Sequence, residues 1–233
     1  MLQFVGMLAA IALTAFCWGA YGPVLHFGRE AMHSNLRPFV CVGVAYFLIA
    51  VLVPAAVLAR GGERGGWTTK GVVWSLLAGA AGALGALGVI LALGFGGRPI
   101  YVMPLVFGGA PVVNTLLSAL MNRAFGQLKP PFLAGLLLVV AGAVTVLVFK
   151  PQAPAHAAVA AHAPAAETGA APAPPPVEKR AERFLEVLLA TTLAVFSWGA
   201  YGPVLHRGQG AMGGSRLRPL LCIGVAYFLI AVL

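Results

Sequence analysis

The chain contains no aspartate, and its 233 residues hold only six acidic side chains, all of them glutamate. None falls inside a long apolar run. Glu30 and Glu63 lie in polar gaps, Glu167 and Glu178 in an Ala/Pro-rich stretch, and Glu182 and Glu186 at the entrance of the run after it. Proton coupling through a carboxylate buried in mid-membrane is therefore not supported. Charge of either sign is scarce, at 9% of residues against 60% hydrophobic, with a mean hydropathy of +0.92. A chain of this size cannot hide so much apolar surface in one soluble core, so most of it faces lipid and the bilayer is its first partner. Only three cysteines occur, Cys17, Cys41 and Cys222, all within apolar runs and without metal-ligand spacing, which argues against a disulfide framework or a metal site. The glycines Gly79, Gly82, Gly85 and Gly88 sit in an apolar run with no Lys-Ser/Thr after them, which excludes a phosphate-binding loop. The embedded hydroxyls Ser75, Thr115 and Ser118 have no histidine or acid at helical spacing to activate them, so no catalytic residue, cofactor or enzyme activity is expected. The net charge of +9 comes from basic residues set singly between apolar runs, as membrane spans are flanked, and does not point to nucleic acid.

What the chain has in abundance is self-similarity. Trp18-Gly-Ala-Tyr21-Gly-Pro23-Val-Leu-His26 returns letter for letter as Trp198-Gly-Ala-Tyr201-Gly-Pro203-Val-Leu-His206. Ala31-Met32 returns as Ala211-Met212 and, after a one-residue insertion, Leu36-Arg37-Pro38 as Leu217-Arg218-Pro219. Cys41 matches Cys222, and Gly43 through Leu52 match Gly224 through Leu233. The chain is a duplication.

A bilayer core about 30 Å thick needs roughly 20 residues of helix to cross it. Runs of that kind cover about residues 2–25, 38–58, 71–95, 101–121, 132–149 and 184–205, and a seventh, from Leu217, reaches Leu233 at the short limit. A signal peptide would want a basic start and a small-residue cleavage site, and neither is present at Met1-Leu-Gln-Phe4. Polar turns are expected at His26–Arg37 and at Arg60–Trp67. Pro104 and Pro111 weaken the hydrogen-bond ladder of the fourth span, which membranes tolerate where neighbours or a cavity satisfy the freed carbonyls. Residues 151–183 are read as an Ala/Pro-rich extended linker, with lone histidines His156 and His162, ending in the charged, helical collar Glu178–Arg183. The expected organisation is a five-helix half at 1–150, this linker, and the start of a second half at 184–233.

Five spans separate the starts of the two copies. Because five is odd, matching helices would cross in opposite directions. The expected fold is an all-α, polytopic membrane bundle built as an inverted five-helix repeat (5+5), its second half cut short after two helices. Inverted repeats are a mark of secondary transporters, whose halves rock about a central site. Charge does not fix the orientation: a cytoplasmic N-terminus puts eight of the 15 basic residues inside and seven outside.

The stretch Ala92-Leu-Gly-Phe-Gly-Gly-Arg-Pro99, then Met103-Pro104 through Pro111-Val-Val-Asn114-Thr-Leu-Leu-Ser118, followed by Leu128-Lys-Pro-Pro131 and the run from Gly135 to Gly142-Ala-Val144, resembles an EamA-type domain of the drug/metabolite transporter superfamily. Trp18-Gly19 near the end of the first span fits the same pattern, with some likeness to the sugar and ureide permease branches. The resemblance covers about residues 1–150 and restarts at the sixth span. It implies two inverted five-helix halves and transport of a small organic solute across a plasma or bacterial inner membrane. Where that family usually carries an acidic turn after its fourth helix, this chain reads Met121-Asn-Arg123-Ala-Phe-Gly126, so no role of that acid carries over.

A polar or aromatic residue at mid-membrane depth is a site candidate unless it lies in the interfacial belt. Trp18, Tyr21, Tyr46 and Asn114, with the copies Trp198, Tyr201 and Tyr227, are the candidate substrate-binding residues. Aromatic walls with few polar tips suit neutral, ring-shaped or amphipathic solutes, including sugars and heterocycles. His26 and His206 fall where their helices leave the apolar run and are expected at headgroup level. The competing class is a structural or assembly protein of the membrane, a homodimer, or an inactive transporter fragment. A site lined by both copies would favour transport, and a closed Ala/Leu-filled centre would favour a scaffold.

Overall fold

A computed structural model describes residues 2–149 and 177–233, and the described residues are helical with no strand. Most of the linker expected at 151–183 lies outside the described residues. Seven helices run in order: α1 (Leu2–Met32), α2 (Arg37–Ala59), α3 (Thr69–Gly94), α4 (Pro99–Asn122), α5 (Pro130–Val148), α6 (Val177–Ala211) and α7 (Leu217–Val232). The first six are long and apolar enough to cross a membrane. At 16 residues, α7 rises about 24 Å and falls short of the ~30 Å hydrocarbon core. The protein is thus an integral, helical membrane protein by length and composition.

The turn expected at His26–Arg37 is shorter than its polarity suggested, while Arg60–Trp67 lies between two helices as expected. The helix of α1 runs through His26 and Phe27 to Met32, and α6 likewise runs past His206 to Ala211. Charged residues just beyond the hydrocarbon do not break a helix. The break comes where the backbone turns left-handed, at His33 (φ 47°) and at its counterpart Gly213 (φ 69°). In α2 the six residues Phe47–Leu52 form a π-turn. Its cause lies just beyond it in α2. Pro54 has no N–H to give the carbonyl four residues back, and its ring crowds that turn.

The centre of the bundle is α3. Thr68 caps it, accepting from the Gly71 amide at 3.0 Å, and its hydroxyl donates to the Ala211 carbonyl at 3.0 Å, tying the start of α3 to the end of α6. Its buried small residues run the length of the helix. A Cβ on Gly79 would lie 2.8 Å from the Ile223 backbone, one on Gly88 2.8 Å from the Ala190 carbonyl and the Ala194 amide, and one on Gly85 inside the Trp198 ring. Missing side chains let α6 and α7 approach to backbone contact, which is how helices bind one another where lipid removes the hydrophobic drive. Helices α1 and α5 are the opposite case, exposed along their most apolar windows.

The two copies meet through matching residues. Tyr46 stacks on Tyr227 with centroids 3.8 Å apart and planes 4° apart, Phe47 touches Phe228 at 4.8 Å, and Trp18 meets Trp198 at 4.9 Å. The backbone contacts are reciprocal as well: Gly43 faces Ala231, and its counterpart Gly224 faces Ala50, the counterpart of Ala231. Self-complementary pairing of this kind is what a local two-fold relation produces.

Candidate functional site

Between α1, α4 and α6 lies a cavity of about 940 Å³. Its wall follows from helical periodicity, since residues three and four apart share a face. On α1 the lining residues are Met7, Ile11, Thr14 and Trp18; on α4 they are Phe107, Pro111 and Asn114, with Thr115 beside them; on α6 they are Trp198 and Tyr201. Tyr46 from α2, Gly82 from α3 and Tyr227 from α7 complete it. Of the seven candidates read from sequence, Trp18, Tyr46, Asn114, Trp198, Tyr201 and Tyr227 come together here. Tyr21 is not on the wall. It packs behind it, its ring 5.7 Å from both Trp18 and Trp198.

The aromatic groups are held rather than loosely gathered. The Trp198 indole N–H donates to the Gly82 carbonyl at 3.0 Å, and its ring lies over Phe107 at 5.9 Å with planes 23° apart. Gly82 and Gly85 leave the space that Tyr227 and Trp198 fill. The Asn114 amide presses against Gly202, one helical step beyond Trp198 and Tyr201 on α6. Phe107, Pro111, Thr14 and Thr115 were not among the sequence candidates. Spacing from residues that were chosen could have found them, because Phe107 and Pro111 precede Asn114 by seven and three residues and Thr14 precedes Trp18 by four.

Asn114 is also a junction. It lines two further pockets, of about 220 Å³ and 520 Å³. The smaller is walled by Ser118, Met121, Asn122, Gly202, Pro203, His206 and Arg207, and the larger by Ser118, Asn122, Gln127 and Lys129 among others. Arg207 donates to the Met121 carbonyl at the end of α4, and its guanidinium lies 5.9 Å from the Trp74 ring centre.

The end of the bundle where α3 begins is fastened by Glu63, outside the spans. Its carboxylate accepts from the Ser215 hydroxyl at 2.5 Å, the Arg216 amide at 2.7 Å and the Leu217 amide at 3.1 Å, with the Arg218 guanidinium 3.9 Å away. An anion at the first turn of α7 satisfies amides that the helix itself leaves free. Partial burial opposes ionisation there, but the Ser215 hydroxyl, the two amides and Arg218 outweigh it and hold the carboxyl below its ordinary pKa. At α1, His26 pairs with Glu30 at 3.3 Å. His206 lacks that acid, because Gly210 stands where Glu30 would be. Among the described residues no three His, Cys, Asp or Glu side chains gather as a metal site would require.

No protein-family model, curated protein or solved structure matches the chain.

Proposed function

We propose that this protein is a secondary transporter that moves a small, ring-bearing organic solute across the membrane by alternating access, built on the EamA-type plan of two inverted halves and residing in a plasma or bacterial inner membrane. The observation that carries this reading is the aromatic cavity, because both copies of the duplication supply its wall: Trp18 and Tyr46 from the first, Trp198, Tyr201 and Tyr227 from the second. A scaffold has no use for a hollow of about 940 Å³ at the meeting point of its repeats. A transporter needs one.

The course of the helices supports the inverted arrangement. Thr68, before α3, is bonded to Ala211 at the end of α6, while Gly94, at the far end of α3, lies against Asn35 just past the end of α1. Matching helices α1 and α6 therefore finish at opposite ends of α3. Rocking of one half against the other would separate the stacked pair Tyr46–Tyr227 and the edge-to-face pair Trp18–Trp198 around the solute, which is where the repeats touch.

The test is uptake into proteoliposomes carrying the purified 233-residue chain, with tritiated uridine, glucose and L-tryptophan as probes of the three ring classes. Saturable uptake of at least one, above protein-free liposomes and reduced at least tenfold by Trp198→Ala or Asn114→Ala, is expected. Uptake equal to protein-free liposomes for all three, together with no detectable binding of any of them, would overturn the transporter reading.

A further inference from the structure

The repeat breaks its own symmetry one residue after the identical stretch ends. His26 is followed by Phe27, Gly28, Arg29 and Glu30, whereas His206 is followed by Arg207, Gly208, Gln209 and Gly210. The first copy carries one base and one acid over these positions, and the acid is engaged by His26. The second carries one base, Arg207, and no acid. Phe27 is exposed, whereas Arg207 is half-buried in the wall of the pocket that opens from Asn114. A cation therefore stands in the small pocket that shares Asn114 with the solute cavity, and its counterpart in the first copy is apolar.

That cation has capacity to spare. A guanidinium has five N–H donors in a planar fork. The one bond assigned to Arg207 goes to the Met121 carbonyl, at the negative end of the α4 dipole, and this steadies the side chain without exhausting it. Ser118 and Asn122 line the same small pocket and add neutral donors, with His206 beside them. Lys129 lines the adjoining one. Among the described residues no acid lines the cavity or either pocket. At that end of the bundle Glu63 is already engaged by Ser215, Arg216, Leu217 and Arg218. Among the described residues the local field is positive, which concentrates anions in the pockets beside Asn114.

We propose that the solute is an aromatic or heteroaromatic carboxylate, its ring held among Trp18, Phe107 and Trp198 and its carboxylate directed past Asn114 to Arg207. This rests on the reading of the cavity as the solute site and deepens it. One half-buried guanidinium balances one negative charge, so a monoanion fits better than a dianionic phosphate. Its fork matches the two oxygens of a carboxylate. An organic cation, which an aromatic box alone would also accept, is disfavoured by Arg207 and by the absence of any acid on the wall.

Equilibrium dialysis of the chain in nanodiscs, against empty nanodiscs, with tritiated 2-phenylacetate, 2-phenylethanol and 2-phenylethylamine keeps the ring and changes only the charge. The acid should bind about tenfold more tightly than the alcohol, the step between a charge-assisted and a neutral hydrogen bond. The amine should bind most weakly. In Arg207→Gln the ratio of acid to alcohol affinity should fall to about one. The ranking in the unaltered protein needs no variant and stands as a test even if Arg207→Gln fails to fold. Equal binding of all three, or tightest binding of the amine, overturns the carboxylate proposal and leaves the cavity reading intact. No binding of any of the three overturns the carboxylate proposal, and the cavity reading then fails only if uridine, glucose and L-tryptophan also show neither uptake nor binding.

Discussion

The packing of α3 against α6 can be tested at one atom. A methyl on Gly88 would sit 2.8 Å from the Ala190 carbonyl oxygen and 2.8 Å from the Ala194 amide nitrogen, both backbone atoms that cannot rotate away. Ordinary contact begins at 3.4 Å, so Gly88→Ala must push the two helices about 0.6 Å apart. An opening of that size forfeits roughly a quarter of the dispersion energy of every contact nearby, each worth about 0.1–0.2 kcal/mol. Overpacking of a tight interface costs about 1–3 kcal/mol, whereas the gain in helix propensity from Gly to Ala is at most about 1 kcal/mol. A net loss of about 1–2 kcal/mol is expected. Gly142→Ala on α5 is the control, because no described atom lies within 4 Å of its added methyl, and there only the small propensity gain remains. Reversible unfolding in mixed micelles, followed by tryptophan fluorescence, measures both. If Gly88→Ala matches or exceeds the parent in stability while Gly142→Ala falls below it, the backbone contact between α3 and α6 is not what holds the bundle together.

Hydrogen bonds outside and inside the span lead to two further outcomes. The Glu63 carboxyl is held below its ordinary pKa, so its stabilising contribution is fully present above the unfolded value of about 4.3 and disappears as pH falls through the lower folded value. The difference in thermal midpoint between the parent and Glu63→Gln should stay constant from about pH 7 to about pH 5 and shrink below about pH 4; a difference that widens on acidification would contradict the bonding described for α7. Trp198→Phe keeps an aromatic ring on the cavity wall but removes the donor to the Gly82 carbonyl, 3.0 Å away. A loss of about 1 kcal/mol is expected, and an unchanged unfolding curve would mean that the indole is positioned by packing alone.

The spans were legible in the sequence because lipid makes one demand of every helix that crosses it, and a long apolar run is its visible trace. The ends were less legible. His26 through Met32 is polar enough to look like a turn, yet a helix may continue into the headgroup region, and the true break depends on the backbone at His33 and Gly213. The π-turn at Phe47–Leu52 leaves no trace in its own apolar letters; it is set by Pro54 beyond them. Six of the seven candidate aromatic and amide residues share one cavity because mid-membrane polarity is rarely idle. Tyr21 lies one helical turn from Trp18 and is just as aromatic, and only the neighbours of α1 decide which of the two meets the hollow. The place of Arg207 beside Asn114 depends on how α6 crosses α4, a long-range fact that no local pattern carries.

Identical residues in the two copies meet unlike surroundings, and this shows where the sequence stops deciding. No described atom lies within 4 Å of a methyl added to Gly19, while one on its copy Gly199 would run into Val113 and the Ala110 carbonyl; Gly28 is equally open, and its copy Gly208 is pressed on Ser75. The nine repeated letters therefore specify a surface able to receive a closely packed helix, and α3 and α4 determine that the second copy uses it. Differences between the copies carry the complementary information. Two perfectly matched halves would present a solute with the same walls from either side and give it no preferred orientation. Replacing the position of Phe27 by Arg207 and that of Glu30 by Gly210 puts a cation in the pocket beside Asn114 on the second copy, where the first copy carries an exposed Phe27. Under the proposed mechanism, a solute with a ring and a single negative end would then enter with a fixed orientation, and the departure from symmetry, more than the symmetry itself, would set what the protein selects.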